Sequence, residues 1–535
     1  MLYSYMMLCL SQYLATTKTR AANPKPNSSN QNKTTSTTSQ FSLSLYSSVT
    51  AEHIKYHLYV HVHVSSQRRR EAGRCNDTMK VKITSSKIVK PAYDGGAAPS
   101  TGESVPLNVF DRVTYDVYIA VIYAFRPPNP PNAALEQGLA RALAVYREWA
   151  GRLGDGPDGR PAVLLSDAGA RFVEAAVDAP LARSMPFKPS PELLRLHPSI
   201  DGGPVEELVQ VQLTRFTCGS LVVGFTAHHR VADGQATGNF LVAWGLATRR
   251  LPAGPLPVCD RATRFQPRDP PRVEFPHRGT EYHLPAAKRH GSEDVDEEEE
   301  IGGAAHDKIK VHKVLFTKEF VARLKARASS SPGPDLPPPP TAQQRRGYST
   351  FESVVGHLWR TVTAARGLGA GEATKLRISV NGRSRMRPPV PREYFGNMVL
   401  WAFPVADAGD LVSRPVQHAA DLIHRAVSRV DDTYFRSFVD FASSGAAEAE
   451  GLAPTADESQ VVLCPDLEVD SWLGINFYDV DFGGGCPFYF MPSYLPMEGT
   501  MFLLPSFLGD GGIEAYVSLF EGHLEEFKRI CYNIA

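Results

Sequence analysis

Apolar and polar positions follow two periods along this chain, and each change of period marks an element. Val209, Val211 and Leu213 alternate with Gln210, Gln212 and Thr214, a period of two that predicts a strand. Thr217-Cys218-Gly219 breaks the run, and Leu221 to Phe225 continues as a second, more apolar strand, so the pair reads as a hairpin. Past Asp233-Gly234 the period changes. Phe240, Leu241 and Trp244 fall at helical spacing and predict a helix to about Thr248. Another helix is predicted over Asn132 to Leu153, with Leu135, Leu139, Leu143 and Tyr146 on its apolar face and Gly151 near its C-cap. Val113 to Phe125 is aromatic and β-branched and reads as strand until Pro127-Pro128-Asn129-Pro130-Pro131 interrupts it. Val163 to Asp167 and Arg171 to Ala176 read as short strands. In the second half, Lys308 to Phe316 reads as a strand and Thr317 to Ala328 as a helix. Ser349 to Arg366 is a stronger helix, with Phe351, Val354, Val355, Leu358 and Val362 on one side. Strands alternating with helices imply α/β layers.

Before Met79 this patterning is missing. Met1 to Leu14 is mildly apolar, Ala21 to Ser48 is rich in Ser, Thr and Asn, and no acidic residue precedes Glu52. That is the profile of a transit peptide or of sequence without a core. Met79 is followed by an alternating strand start, Lys80 to Ser86, so a gene-model extension upstream of the real start is a third reading. Residues 1–78 are accordingly set aside as a disordered or non-native extension. Within it, His61 and His63 alternate as metal ligands can, or by chance. The remaining chain divides into a domain over 79–270, a crossover linker over 271–310 holding the acidic run Asp296 to Glu300, and a domain over 311–535 with a Pro-rich loop at 329–347.

Composition narrows the function classes. A chain of 535 residues, 43% hydrophobic, can bury more than one core. Its 57 basic and 57 acidic residues balance, which argues against a nucleic-acid partner. The seven cysteines are scattered without a Cys-x-x-Cys pair, so a reducing, cytoplasmic setting is expected. No stretch approaches the ~18–20 apolar residues of a membrane span, and no membrane partner is expected.

Candidate chemistry lies at the end of the hairpin, where His229 and Asp233 stand in His-x-x-x-Asp spacing. The same spacing recurs at His197/Asp201 and His290/Asp294, so context must decide. His197 precedes Pro198 in a loop-like stretch and His290 opens a run of acids, whereas His229 sits between a buried strand and a helix start, where a carboxylate at Asp233 is favoured by free N–H groups and the helix dipole. A metal hydrolase built on His228, His229 and Asp233 would need a third ligand cluster, and none is evident, so no metal is expected. Near the C-terminus, Asp481-Phe482-Gly483-Gly484-Gly485 forms a shaped turn after a strand. It lacks both the Lys-Ser/Thr of a phosphate loop and the Gly-x-Gly-x-x-Gly of a dinucleotide fold.

Together these motifs resemble the BAHD family of plant CoA-dependent acyltransferases, whose signatures are His-x-x-x-Asp-Gly mid-chain and Asp-Phe-Gly-Trp-Gly near the C-terminus. The chain carries His229 to Gly234 and Asp481 to Gly485, departing at Gly484, where the family usually has Trp. Trp149 to Leu153, Ser353 to Arg360, Asn381 to Arg385 and Tyr394 to Asn397 extend the resemblance over residues 79–535. Val121 to Phe125, Tyr146 to Trp149, the Gly-Gly-Gly turn and Phe490 to Pro496 are similar to the cereal branch that acylates agmatine, putrescine or tryptamine with hydroxycinnamoyl or benzoyl groups.

The resemblance implies an α/β fold of two similar chloramphenicol-acetyltransferase-like domains with the active-site channel between them, and it allows helix within Val113 to Phe125. It implies a monomer that uses acyl-CoA as a co-substrate and a small amine as acceptor, with no bound cofactor and no acyl-enzyme. His229 is then the general base, a role that suits a side chain exchanging protons near neutral pH. Trp472 is either an oxyanion donor or a core aromatic. Asp233 turns toward Arg383 as an architectural residue, with Gly234, Asp481, Phe482, Gly483 and Gly485 shaping the site. Asp457, Glu458 and Asp470 are candidates for holding the acceptor's distal charge, or are solvated loop acids. Ser349, Arg383 and Arg385 are candidate neighbours of the CoA phosphates. Two rivals remain: an O-acyltransferase of the same fold, and a relative that binds acyl-CoA without turnover.

Overall fold

Two sheets organise the chain, each assembled from the alternating segments, and the core around each takes in a piece from the other half of the sequence. The computed structural model describes residues 79–535 except 94, 96–97, 199–205, 253, 255, 286–307, 331–346, 458–459 and 535. Expectations on residues 1–78, the acidic run, the Pro-rich loop, Asp201, His290, Asp294 and Glu458 lie outside the described residues. Among those described, no helix is long and apolar enough to cross a membrane.

The strands used below are β1 (Val81–Val89), β2 (Tyr118–Phe125), β3 (Ala170–Val177), β4 (Val209–Phe216), β5 (Leu221–His228), β6 (Ile309–Phe316), β7 (Ala373–Asn381), β8 (Val399–Ala402), β9 (Val405–Asp407), β10 (Leu467–Ser471), β11 (Tyr489–Pro492), β12 (Thr500–Pro505) and β13 (Ile513–Phe520). The first sheet has the order β1-β3-β4-β5-β2-β11 and the second β6-β13-β12-β10-β7-β8, with β9 also pairing with β7. The predicted hairpin is β4 and β5, antiparallel with Val211 opposite Phe225. Although β11 comes late in the chain, it is the edge strand of the first sheet, pairing antiparallel with β2.

The principal helices are α1 (Val109–Val113), α2 (Asn132–Val145), α3 (Gly234–Thr248), α4 (Lys318–Ser329), α5 (Thr350–Arg366), α6 (Val416–Arg429), α7 (Asp432–Ser443) and α8 (Glu521–Ile530). Their starts follow local chemistry. Thr317 caps α4, Asp431 caps α7, and Ser349 with Glu352 forms a reciprocal capping box at α5, which ends on left-handed Gly367. One hydrophobic cluster gathers around the first sheet with α2 and α3, and a second around the other sheet with α4 to α8. The crossing works in both directions, because Val109, Phe110 and Val113 of α1 belong to the second cluster while Trp472, Phe482 and Tyr489 belong to the first. The molecule is an α/β protein with a two-domain fold.

Two elements depart from the periodicity. The helix expected over Asn132 to Leu153 stops at Val145, where Tyr146 leaves helical angles (φ −103, ψ 61) and a single 3-10 turn follows. Tertiary pairing overrides propensity here, since Arg152–Asp155 forms a strand against Pro161–Leu164. The strand read from Val113 begins only at Tyr118. Before it, Asn108 accepts from the N–H groups of Phe110 and Asp111 and so nucleates α1.

The described part of the linker between the halves is pinned from beneath. Ser437 Oγ on α7 accepts from the N–H groups of Glu274 and Phe275 and lies 2.9 Å from His277 Nε2. His277 Nδ1 lies 2.9 Å from Glu281 Oε2, and Tyr434 donates to the other oxygen of Glu281 at 2.6 Å.

Candidate active site

His229 stands immediately after β5, where its N–H donates to the carbonyl of Val117 (2.8 Å) and its own carbonyl accepts from Asn397 Nδ2 (2.8 Å). The loop it opens, residues 229–233, is held on every side. Asn397 also donates twice to Asp111 Oδ1, and Asp111 Oδ2 accepts from Arg261, whose guanidinium reaches the Val231 carbonyl and Glu148. Arg261, Asp111 and Glu148 are all buried. Burial works against the Arg261 charge, but Asp111 and Glu148 outweigh it and hold the guanidinium above its usual range. Burial raises the Glu148 carboxyl above the ordinary carboxylate value, with Arg261 opposing.

Asp233 closes the loop as the N-cap of α3. Its Oδ1 accepts from the N–H of Ala236 (3.0 Å) and from Arg383 Nη2 (3.1 Å), and its Oδ2 from Arg383 Nη1 (2.7 Å) and the N–H of Met398 (3.0 Å). Four donors occupy the carboxylate, and none is the imidazole of His229. His229 Nδ1 is instead 3.4 Å from Thr114 Oγ1. The pair therefore separates: His229 faces a cavity, and Asp233 is paired with Arg383.

The cavity, about 230 Å³, is lined by both sheets, with Phe225, Ala227 and His229 on one side and Trp472, Thr500 and Phe502 on the other. Gly234 also lines it, the first residue of α3. The lining is mostly apolar, with two carboxylates, Glu468 and Asp470. These share a face of β10 with Trp472, because residues two apart on a strand point the same way. Trp472 packs on Phe477, Phe490 and Phe502, and its indole N–H makes no hydrogen bond with any described residue. Asp470 accepts from the Ser379 hydroxyl. Glu468 is 3% exposed and accepts from the Tyr115 hydroxyl at Oε2 (2.6 Å). Burial raises its carboxyl above the usual range, opposed by Arg377. Glu468 was absent from the expected acceptor residues. The strand alternation of Glu468, Asp470 and Trp472 was the signal that would have found it.

Other expected residues lie elsewhere. Asp457 lines a second cavity that shares Gln460 and Glu468 with the first. Arg383 has its guanidinium taken by Asp233 and by the carbonyls of Tyr394 and Gly396, all buried, so as placed it offers nothing to a CoA phosphate. Arg385 donates to the carbonyls of Val427 and Val430, closing the end of α6 rather than presenting its charge. Ser349 is the exposed N-cap of α5.

The Gly-rich turn sits at the other end of α3 from His229, and that helix is about 22 Å long at 1.5 Å per residue. Asp481 Oδ1 accepts from the N–H groups of Gly483 and Gly485, and Oδ2 pairs with Arg249 at the helix end (3.0 Å). Phe482 packs edge-on against Trp244 (4.6 Å). At Gly484 a Cβ would stand 2.0 Å from the Pro128 carbonyl oxygen. The proline-rich segment after β2 thus occupies the space a side chain would need, which accounts for glycine in place of the family's tryptophan.

His197 shares the His-x-x-x-Asp spacing but is buried beneath β5, with Nδ1 3.3 Å from Thr226 Oγ1, and burial lowers its pKa to about 4. Burial likewise lowers His228 to about 4.

Known proteins place this arrangement. The family model described as Transferase family matches residues 79–533. A putrescine hydroxycinnamoyltransferase 3 of Oryza sativa subsp. japonica is 56% identical over 461 residues, covering 85% of this chain and all of the relative. An agmatine coumaroyltransferase-1 of Hordeum vulgare is 54% identical with the same coverage, and a tryptamine benzoyltransferase 2 of Oryza sativa subsp. japonica is 40% identical, covering 85% of this chain and 98% of the relative. Among solved structures, vinorine synthase superposes with a TM-score of 0.61 at 21% identity, over 84% of this chain and 96% of that one. TRI101 of F. graminearum with coenzyme A and deoxynivalenol superposes at 0.62 and 17% identity, over 80% and 97%.

Proposed function

Because the chain belongs to the Transferase family, the BAHD acyltransferases, we propose that it moves a hydroxycinnamoyl or benzoyl group from its CoA thioester to a primary amine bearing a second cationic group, as putrescine and agmatine do. The observation that carries this reading is the placing of two carboxylates, buried Glu468 and half-buried Asp470, in the same largely apolar cavity as His229. Taking carboxylates out of water is costly; Arg377 meets Glu468 only on the Oε2 side, at 3.9 Å, where Tyr115 also donates, and Oε1 has no hydrogen bond from described residues. A distal ammonium or guanidinium fits the remaining oxygen. The indole of tryptamine offers it nothing comparable, so tryptamine is the weaker acceptor.

In this reading the uncharged amine nitrogen attacks the thioester carbonyl while His229 takes its proton. The C–N bond forms, the C–S bond breaks, and the imidazolium returns the proton to the departing thiolate, giving an amide and free CoA. With Thr114 Oγ1 at Nδ1, the tautomer protonated there leaves Nε2 as the base. The Trp472 N–H supplies a donor to the tetrahedral oxyanion. No acyl-enzyme and no bound cofactor are required, and acyl-CoA is a co-substrate. The base, donor and acids come from one chain, which suits a monomer, and the scattered cysteines suit the cytoplasm.

The test is the full-length protein incubated with a matrix of coumaroyl-CoA and benzoyl-CoA against putrescine, agmatine, tryptamine and shikimate, read by mass spectrometry. Amides of the two diamine-type acceptors are expected, and Glu468→Gln should raise their KM about 10- to 100-fold, the loss of one charged hydrogen bond. Exclusive formation of esters would establish the O-acyltransferase reading instead.

A further inference from the structure

The acceptor cavity does not end at Glu468. A second cavity, about 240 Å³, begins there and is polar where the first is apolar, lined by His283, Lys375, Arg377, Asp457 and Asp466 among others. The partition is a chain of polar contacts. Tyr115 Oη donates to Glu468 Oε2 (2.6 Å) and accepts from Arg377 Nη1 (3.1 Å), which also donates to the Thr455 carbonyl (3.1 Å). The Arg377 guanidinium lies over the Trp401 ring at 4.1 Å, with Nη1 3.9 Å from Glu468 Oε2. Its Nε and Nη2 are buried without a hydrogen-bond partner, whereas Lys375 in the same cavity is paired with Asp466 at 3.3 Å. Buried donors left unpaired on a charged group are costly, so this guanidinium is better explained by what it does to the cavity than by what it adds to the fold.

We propose that Arg377 is a specificity-determining residue, a resident cation that closes the acceptor cavity behind Glu468 and restricts acceptors to amines whose distal charge ends at that carboxylate. The inference rests on the amine-acceptor reading above. A diamine shares Glu468 with Arg377 from the opposite side. A linear polyamine with a third nitrogen has to push its next ammonium past Glu468 into the second cavity, within a few ångströms of the guanidinium, where the two like charges repel. Rejection by a built-in repulsive group is a recognised route to selectivity. Without Arg377, the second cavity would lose one of its positive groups while keeping Glu468, Asp457 and Asp466, and the contact joining Tyr115 to Thr455 would be gone, so the two cavities would merge into one more favourable to cations.

The experiment compares kcat/KM for putrescine and for the triamine spermidine in the full-length wild type, R377Q, R377M and R377K, at saturating coumaroyl-CoA, with melting temperatures measured alongside. R377Q and R377M are two neutral replacements, the second keeping apolar packing on Trp401 if the first does not fold. The triamine-to-diamine ratio is expected to rise at least tenfold in either neutral variant, through the triamine KM, while R377K keeps a cation and stays near the wild-type ratio. An unchanged ratio in a folded neutral variant overturns the inference while leaving the amine reading intact. A wild type that acylates no amine overturns both.

Discussion

His277 and His229 divide the attributes that a catalytic histidine is usually expected to combine. His277 has a serine oxygen 2.9 Å from one ring nitrogen and a carboxylate 2.9 Å from the other, the contacts of a nucleophile-activating triad. It is 1% exposed, Ser437 accepts two backbone N–H groups, and neither lines either of the two cavities described above. His229 has one long contact, 3.4 Å to Thr114, and faces an open cavity. What separates the two is access and slack. A ring whose nitrogens are both satisfied by buried partners is a strut, and a ring with one nitrogen facing a cavity can exchange a proton with something that enters it.

The largest effect that would sharpen this contrast is expected at the anchor of the His229 loop. Asp233→Asn leaves the Arg383 charge buried without its counter-ion, which should cost about 3–5 kcal/mol in stability as well as rate. A melting temperature unchanged beside lost activity would move Asp233 into the chemistry. Next comes His277→Ala, which strands the buried Glu281 and Ser437 groups and should cost about 2–3 kcal/mol, read as a lower urea midpoint, while kcat of the folded fraction stays within a few-fold.

Comparable in size, once pH has fallen to about 4, is the response of His197 and His228. Each titrates at about 4 in the folded protein, depressed by burial, against 6.5 in the unfolded chain. Below 6.5 the unfolded chain binds protons that the folded state refuses, so stability is full above that pH and is lost as pH falls toward 4. The slope approaches about 1.4 kcal/mol per pH unit for each histidine. Thermal melts between pH 7 and 4 in His197→Gln should show a shallower fall than in wild type.

Much of the site was legible because its signals are local. The β4–β5 hairpin, the apolar face of α3 and the capping carboxylate at Asp233 are written within forty residues, and the pairing of Asp233 with Arg383 followed from the family pattern. What escaped depends on residues far apart in the chain. Nothing near Arg261 announces Asp111, and nothing near Asn397 announces the carbonyl of His229. The end of α2 at Val145 was set by a strand pairing that helical periodicity cannot register. Gly484 resembles the cereal branch in sequence, but why no side chain fits there depends on the carbonyl of Pro128, far earlier in the chain. Glu468 was overlooked in favour of loop acids, although alternation along β10 put it in line with Asp470 and Trp472.

The most direct test sets His229→Ala beside His277→Ala in the full-length protein, measuring kcat with the acyl-CoA and amine that the wild type uses together with the melting temperature. His229→Ala should lose about 10²- to 10⁴-fold in kcat at an unchanged melting temperature, and His277→Ala should lower the melting temperature with kcat nearly intact. A folded His229→Ala that keeps its kcat would contradict the account.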